Sequence, residues 1–150
     1  MQTVNSITIC ANPDLVYRTV ADIQEWPKML PHYRWVRGID NRDLVFEMAA
    51  WRSFVPIKWT SLTRCDSKRR RIFFTHIGGL TRGMEVVWKI NSGSNGTDVS
   101  IVHDLSGLKL PLIRLKIGKL ITGRMFVEPV ADRTLRYMKL WVENQPDVQL

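Results

Sequence analysis

The stretch ANPDLVYRTVADIQEWPKMLPHYRWVRGID, residues 11–40, predicts two helices followed by a strand. Asn12 can cap the first helix, and Pro13 suits its first turn because a first-turn N–H has no partner within the helix. Apolar residues at helical spacing give this helix one apolar face; they are Leu15, Val16, Val20 and Ile23. Pro27 and Pro31 limit the second helix to a few residues. An amphipathic helix of this kind needs a larger apolar surface on which to pack.

The rest of the chain supplies that surface as a run of predicted strands. Alternation of apolar and polar residues predicts seven strands, at 4–11, 33–40, 44–52, 57–66, 71–77, 83–90 and 98–104. From 108 to 143 the spacing becomes helical, and Pro129 should kink this helix or mark a start inside it. The pattern predicts an α+β fold, in which a seven-stranded antiparallel sheet wraps around a long C-terminal helix, with two short helices after strand 1.

The composition is that of a globular protein, with 150 residues, 45% hydrophobic and 24% charged. We expect a single domain over 1–150. Asp14 and Arg18 interrupt any early apolar run, and no stretch is apolar for long enough to cross a bilayer, so we expect a cytoplasmic protein. Cys10 and Cys65 form no CxxC pair and are expected to be buried free thiols. No motif predicts a metal or another cofactor.

The opening segment resembles the start of the polyketide cyclase/dehydrase group of the START-like, helix-grip superfamily (SRPBCC). The residues that carry the resemblance are Ile7, Ile9, Ala11, Pro13, Val16, Tyr17, Val20, Asp22, Ile23, Trp26, Pro27 and Tyr33. IKWTS (57–61), MEVVW (84–88), GTDVSI (96–101) and TLRYMKLWVE (134–143) extend it over nearly the whole chain. The resemblance implies a helix-grip fold and an internal cavity that binds a hydrophobic small molecule (lipid, quinone or polyketide-like). Relatives include coenzyme Q-binding and lipid-carrying proteins as well as enzymes, so the fold alone does not choose a function.

Strand parity predicts which residues line the cavity, because residues two apart on a strand face the same side. The predicted ligand-binding residues are Trp26, Phe46, Met48, Trp59, Ser61, Thr63, Met84, Trp88 and Ile101. Leu44 and Cys65 share these inward faces. Aromatic and aliphatic side chains with a few polar groups are typical of a small-molecule pocket. For the tryptophans, the alternative is plain core packing.

Three further polar residues, Tyr33, Arg52 and His103, are candidate catalytic groups. The alternatives are a rim tyrosine, an exposed strand end and a buried histidine. Aromatase/cyclases resemble this chain at Trp26, Tyr33, Trp59 and Ser61, and they use tyrosine and arginine donors to polarise carbonyls of a carrier-tethered poly-β-ketone for aldol cyclisation and dehydration.

The chain departs from the aromatase group at one inward position. Thr63 stands where that group carries an arginine important to its chemistry, and Arg64 faces the other side by parity. The sequence therefore favours a carrier or binding protein, with an aromatase/cyclase as the alternative.

The segment LKLPLIRLKIGKLITGR (108–124) is both basic and apolar. Its cationic residues include Lys109, Arg114, Lys116 and Lys119, and it has no acid. The net charge of +8 also favours an anionic partner. We predict docking to an anionic membrane surface, as a peripheral protein, or to an acyl-carrier protein; the alternative is a packed helix start with snorkelling lysines. SKRRR (67–71) predicts a solvated hairpin end. No nucleic-acid partner is expected, because the aromatic residues point inward.

Overall fold

The computed structural model describes residues 1–109 and 122–146. Its strands are β1 (Gln2–Ile9), β2 (Tyr33–Gly38), β3 (Val45–Arg52), β4 (Val55–Asp66), β5 (Arg71–Gly79), β6 (Glu85–Gly93) and β7 (Gly96–Asp104). Its helices are α1 (Pro13–Ala21), a 3₁₀ turn (Ile23–Glu25), α2 (Trp26–Met29), a π-helical turn (Thr122–Val127) and α3 (Glu128–Glu143). The α+β architecture expected from the sequence is confirmed.

The strands form one antiparallel sheet in the order β1-β7-β6-β5-β4-β3-β2. Six neighbouring strands follow each other along the chain, and β1 closes the far side by pairing with β7, where Thr3 lies opposite His103. The pairing shifts register between Tyr33 and Trp35 and again between Thr60 and Ser61. Such irregularities bend a strand and increase its local twist, which helps a sheet to curve around a helix.

Helix α3 is the element that the sheet surrounds. Its buried residues follow the helical repeat and form a single stripe: Ala131, Thr134, Leu135, Met138 and Val142. The opposing sheet face contains the inward sets predicted from strand parity, including the buried Val86, Trp88 and Ile90 of β6. The main core therefore lies between the helix stripe and the concave face of the sheet.

Pro129 marks a start inside the C-terminal helical segment, as the sequence predicts. The backbone changes from π-helical to α-helical geometry at Glu128, and Pro129 lies in the first turn of α3. An α-helical bond to the carbonyl of Met125 would come from the N–H of residue 129, and proline has none. The side chain of Arg52 donates to that carbonyl from β3. Leu108 and Lys109 are not helical, and residues 110–121 of the predicted helix lie outside the described residues.

Two expectations about burial were wrong. Cys10 and Cys65 are free thiols, but both are exposed. Cys10 lies at the bend after β1, while Cys65 lies near the end of β4, where it reaches the edge of α1 and contacts the hydroxyl of Tyr17. Leu44 is 42% exposed because it precedes β3. Strand parity gives the direction of a side chain, and it does not say how far the core extends along the strand.

The loop after β7 is fixed against the β5–β6 turn by close backbone contact. Gly83 has a φ of +94°, and a Cβ at this position would lie 1.9 Å from the carbonyl oxygen of Gly107. The N–H of Lys109 donates to the carbonyl of Arg82 at 2.9 Å. A side chain at residue 83 would therefore separate these two segments.

Leu135→Ala should test the burial of α3, with Leu140→Ala as its matched control. Leu135 is 1% exposed, whereas Leu140, on the same helix, is 55% exposed. We expect the first change to lower the free energy of unfolding by about 2–5 kcal/mol, because it leaves a cavity in the core. The second should change it by less than about 0.5 kcal/mol. Equal losses in denaturant titrations would contradict this packing of α3.

Candidate functional site

A cavity lies between the concave face of the sheet, α2 and the start of the C-terminal helix. Side chains from α2, from β2 to β7 and from residues 122–134 line it. Its volume is about 80 Å³. As it stands, the space therefore suits a small ligand.

A continuous series of rings forms the floor of this cavity. Trp26 lies at its centre, with its ring centroid 5.5 Å from that of Trp88 and 5.5 Å from that of Tyr33. Tyr33 contacts Trp59 at 5.9 Å, and Trp59 stacks on His76 with an angle of 4° between the ring planes. Aromatic pairs at these separations stabilise one another beyond their area of burial. The floor is therefore apolar and closely packed.

His76 presents a neutral imidazole to the cavity. Its Nδ1 lies 2.6 Å from the hydroxyl oxygen of Thr81. That hydroxyl has no other hydrogen-bond partner within the described ranges, so its proton is best placed on the bond to Nδ1. The tautomer that fits this bond carries the His76 proton on Nε2, and His76 lines the cavity. Burial, together with the nearby His103, lowers the pKa of His76 to about 3.

His103 lies on the same concave face, on β7. It is 9% exposed, and its Nδ1 has no hydrogen-bond partner among the residues described. Burial lowers the pKa of His103 to about 4. A buried acceptor without a partner is better tolerated than a buried N–H without one, which favours the tautomer with the proton on Nε2. Both histidines of the lining are therefore uncharged at neutral pH.

Tyr33 and Thr134 form a second polar region in the cavity wall. Burial raises the pKa of Tyr33 well above its usual range, and the neighbouring Thr134 hydroxyl offsets only part of this. Tyr33 is therefore a phenol at any ordinary pH. Thr134 donates to the carbonyl of Val130 at 2.8 Å, and its oxygen lies 2.8 Å from Nε2 of His32. The tautomer with the His32 proton on Nε2 satisfies both contacts, because Thr134 has only one proton to donate.

Most of the residues predicted from parity lie in the cavity wall. Those that line the cavity are Trp26, Met48, Trp59, Met84, Trp88 and Ile101, together with Tyr33 and His103. Their burial agrees with the sequence analysis. Their roles in binding or catalysis stay predictions.

Four predicted residues lie elsewhere. Phe46 and Thr63 line a separate groove beside residues 21–24. Ser61 is fully buried, and its hydroxyl lies 3.5 Å from the carbonyl of Thr75. Arg52 lies at the end of β3, bonded to the carbonyl of Met125, with its guanidinium 6.0 Å from the ring of Phe126. Phe126 lines the cavity, so Arg52 is a neighbour of the rim and does not line the interior.

The remaining predictions concern charged residues outside the cavity. Arg64 stays on the outer face, as parity predicts, with its guanidinium 4.0 Å from the centre of the Phe73 ring. Lys109 is exposed. Arg114, Lys116 and Lys119 lie outside the described residues. None of the side chains known to line the cavity is ionised at neutral pH.

The sequence analysis missed His76, Thr81 and the helical side of the cavity. His76 could have been found by parity, since it follows the buried Ile72 and Phe74 at steps of two residues on β5. Thr81 lies in a turn, where parity does not apply. Phe126 and Thr134 lie on the helical segment. The inward face of this segment can be predicted only if the residue at which the α-helix begins is known, and Pro129 changes that residue.

Two other kinds of site are absent from residues 1–109 and 122–146. Those ranges contain no group of three or more side chains placed to hold a metal ion. Their helices also lack the length and apolar character that crossing a bilayer requires.

The buried histidines predict a loss of stability in mild acid. The pKa of His76 is about 3 and that of His103 about 4, against 6.5 for an ordinary histidine. Below pH 6.5 the unfolded chain takes up protons that the folded chain does not, so the free energy of unfolding falls as pH falls. Each group should remove about 2 kcal/mol between about pH 8 and pH 5.

His103→Gln keeps a polar side chain and removes one titrating group. We expect it to reduce the pH dependence of the free energy of unfolding by about 2 kcal/mol over the same range, whatever its effect at neutral pH. Denaturant titrations at a series of pH values measure both quantities. An unchanged pH dependence would show that His103 titrates normally in the folded protein.

Comparisons with known proteins agree with the fold. The family model described as "Polyketide cyclase / dehydrase and lipid transport" matches residues 9–134. Among curated proteins, no sequence match was detected.

Several solved structures share the fold. The ZhuI aromatase/cyclase from Streptomyces sp. R1128 superimposes with a TM-score of 0.81 at 17% identity, covering 95% of this chain and 93% of that one. A START superfamily protein from Mycobacterium smegmatis gives 0.72 at 16% identity, with 95% and 97% covered. A protein from Thermus thermophilus gives 0.75 at 18% identity, with 95% and 97% covered. At these identities the likeness concerns the fold alone. Because this family model matches most of the chain, the chain belongs to the polyketide cyclase/dehydrase and lipid transport family.

Proposed function

We propose that this protein binds an uncharged, largely apolar small molecule in the cavity between the sheet and α3, as a carrier or binding protein. The observation that carries the proposal is the character of the lining. Its described residues are aromatic, aliphatic or neutral polar, with no Asp, Glu, Lys or Arg among them. Pockets of this kind bind by apolar contact, and a few polar groups set the orientation of the ligand. Lipids, quinones and polyketide-like aromatics all offer such chemistry.

Electrostatics supports an uncharged ligand in particular. A carboxylate or an amine taken into the cavity would lose its hydration, and no opposite charge among the described lining residues would compensate. The two lining histidines are neutral, so they offer hydrogen bonds without a net charge. The Nε2–H of His76 suits a carbonyl oxygen, as in a ketone or quinone. The hydroxyls of Tyr33 and Thr134, which also line the cavity, offer further polar contact.

An aromatase/cyclase is the second candidate function, because Tyr33 lies in the cavity wall beside neutral imidazoles. Aldol closure needs a donor that stabilises a developing enolate, and in the group that this chain resembles an arginine contributes to that role. Here the corresponding position is Thr63, which lies outside the cavity, and Arg52 bonds to Met125 at the rim. Tyr33, His76 and His103 would have to stabilise the oxyanion without a cation. This lack of a cation is why we rank the carrier first.

The docking role of Lys109, Arg114, Lys116 and Lys119 belongs to the same proposal. The exposed Lys109 lies beside the β5–β6 turn, and Leu80 of that turn lines the cavity. A basic segment that starts at Lys109 would suit an anionic membrane that supplies or accepts the ligand, or an acidic acyl-carrier protein. A cytoplasmic location with peripheral attachment to the membrane stays a prediction from the sequence.

A matched pair of probes tests the cavity proposal. 2-Acetylnaphthalene is uncharged and has one carbonyl, whereas 2-naphthoate has a similar shape and a negative charge. We expect wild type to bind the ketone at least about tenfold more tightly, since the carboxylate would be buried without a partner. Tryptophan fluorescence reports binding, because Trp26, Trp59 and Trp88 line the cavity.

Ala131→Phe should fill the cavity and abolish binding of the ketone. Ala131 is 4% exposed and lines the cavity from α3. Leu140→Phe places the same ring on the exposed side of that helix and should leave the affinity unchanged. A melting temperature for each variant shows whether it folds. If wild type binds neither probe, or if both variants bind as well as wild type, the proposal is wrong.

Tyr33→Phe separates the two candidate functions. A carrier needs shape and apolar contact, so we expect the affinity for 2-acetylnaphthalene to stay within about threefold of wild type. A cyclase needs the hydroxyl for proton transfer or carbonyl polarisation, and its turnover should fall by about a hundredfold or more. Both quantities are measured on the same preparations, with a carrier-tethered poly-β-ketone as the substrate. If wild type turns over the substrate and Tyr33→Phe does not, the cyclase is supported. If Tyr33→Phe lowers binding and turnover equally, the expectation that it affects turnover alone is wrong.

A further inference from the structure

The tip of the β3–β4 hairpin exposes a phenylalanine completely. Phe54 is 96% exposed, the highest exposure among the large apolar side chains of the described residues. Ser53 beside it adopts a φ of +54°, which closes the tight turn. Trp51 and Val55, on either side of the turn, are 38% and 47% exposed. An isolated exposed apolar residue is ordinary, but this cluster projects from the end of a hairpin.

Three arginines lie near this tip. The guanidinium of Arg34 lies 4.6 Å from the ring centre of Trp51. Arg133 shares a shallow groove with Trp51 and Phe54, and Arg52 is part of the hairpin itself. Within residues 1–109 and 122–146, none of these three arginines forms an ion pair. The surface around Phe54, formed by Trp51, Phe54, Arg34, Arg52 and Arg133, is called the hairpin surface below.

The hairpin surface also lies beside the rim of the cavity. Arg52 donates to the carbonyl of Met125, and its guanidinium lies 6.0 Å from the ring of Phe126, which lines the cavity. Met125 is itself 51% exposed. The apolar tip, the arginines and the rim therefore occupy adjacent parts of the molecule.

We infer that the hairpin surface docks on an anionic lipid bilayer, with Phe54 inserted among the acyl chains and the arginines against lipid phosphates. An exposed aromatic ring gains free energy on leaving water, and cations near the surface are attracted to anionic headgroups. Arginine suits phosphate because its planar fork donates two parallel hydrogen bonds. This inference concerns residues outside the basic segment 108–124, and it does not depend on which ligand the cavity holds.

Arginines beside aromatic rings also raise the alternative of a nucleic acid, which the geometry makes less favourable. Stacking of bases requires free ring faces. Arg34 lies over both Trp35 and Trp51, and Arg37 also lies over Trp35, at 4.6 Å from its ring centre. These guanidiniums cover ring faces that bases would need. Phe54 remains uncovered, and a single ring at a hairpin tip suits insertion into a bilayer better than a stacked strand.

Sedimentation with vesicles tests the inference. Wild type should bind vesicles of phosphatidylcholine mixed with phosphatidylglycerol, and bind phosphatidylcholine alone much less. Phe54→Ser should lower partitioning onto the anionic vesicles about tenfold, because it removes the inserted ring. Arg133→Gln should lower it about fivefold. Ile39→Ser, at a residue that is 56% exposed and lies outside the hairpin surface, is the control and should bind as wild type does.

Further variants distinguish docking by the hairpin surface from docking by segment 108–124 and from binding of nucleic acid. Phe54→Ser should keep the melting temperature and the affinity for 2-acetylnaphthalene, because the Phe54 side chain is almost fully in solvent. The double variant Lys116→Glu plus Lys119→Glu tests the other predicted docking segment. The inference is overturned if wild type ignores anionic vesicles, if Phe54→Ser and Ile39→Ser bind alike, or if only the double variant loses binding. Retention of single-stranded DNA but not of vesicles would assign the hairpin surface to nucleic acid.

Discussion

The cavity depends on one buried hydrogen bond, from the indole N–H of Trp26 to the carbonyl of Val20 at 2.9 Å. Val20 lies near the end of α1, where carbonyl groups lack partners within the helix. The bond satisfies a donor that would be costly to bury alone, and it fixes the orientation of the indole. From that position Trp26 contacts Tyr33, Phe74 and Trp88, three rings on three different strands. The short helices after β1 thus act as a support that holds the aromatic floor in place.

A second constraint comes from Pro129, which removes a hydrogen bond and thereby connects the helix to the sheet. Residue 129 is proline and has no N–H to donate to the carbonyl of Met125. Arg52, at the end of β3, donates to this carbonyl instead. Arg52 was the arginine among the three candidate catalytic residues predicted from the sequence. This contact holds the Arg52 side chain at the rim, and the described lining residues include no cation. A proline on one element thus affects which chemistry the cavity can perform.

Much of the fold could be predicted from sequence, because the helical repeat and the strand alternation of apolar residues are both clear. Strand alternation identified all seven strands and the inward Met84, Trp88 and Ile101. The same rule wrongly predicted that residues at the ends of strands face the core. Cys65 points towards α1 but lies beyond the core, and Arg52 turns to the helical segment. Thr81 and Thr134 could not be predicted, because their place in the wall depends on a turn and on a helix start that local patterns do not specify. His76 could have been predicted, because it continues the alternation of buried residues on β5.

The distribution of charge separates the inside of this molecule from its outside. The net charge is +8, yet the known cavity lining has no ionised group, and its histidines are kept neutral by burial. A cation inside the cavity would strengthen oxyanion chemistry, but it would also have to be desolvated whenever an apolar ligand filled the space. Cations at the surface carry no such penalty and attract anionic partners over a distance of about a Debye length. A neutral, aromatic interior beside an arginine-rich hairpin surface is the arrangement expected of a protein that takes up an uncharged ligand at a charged boundary.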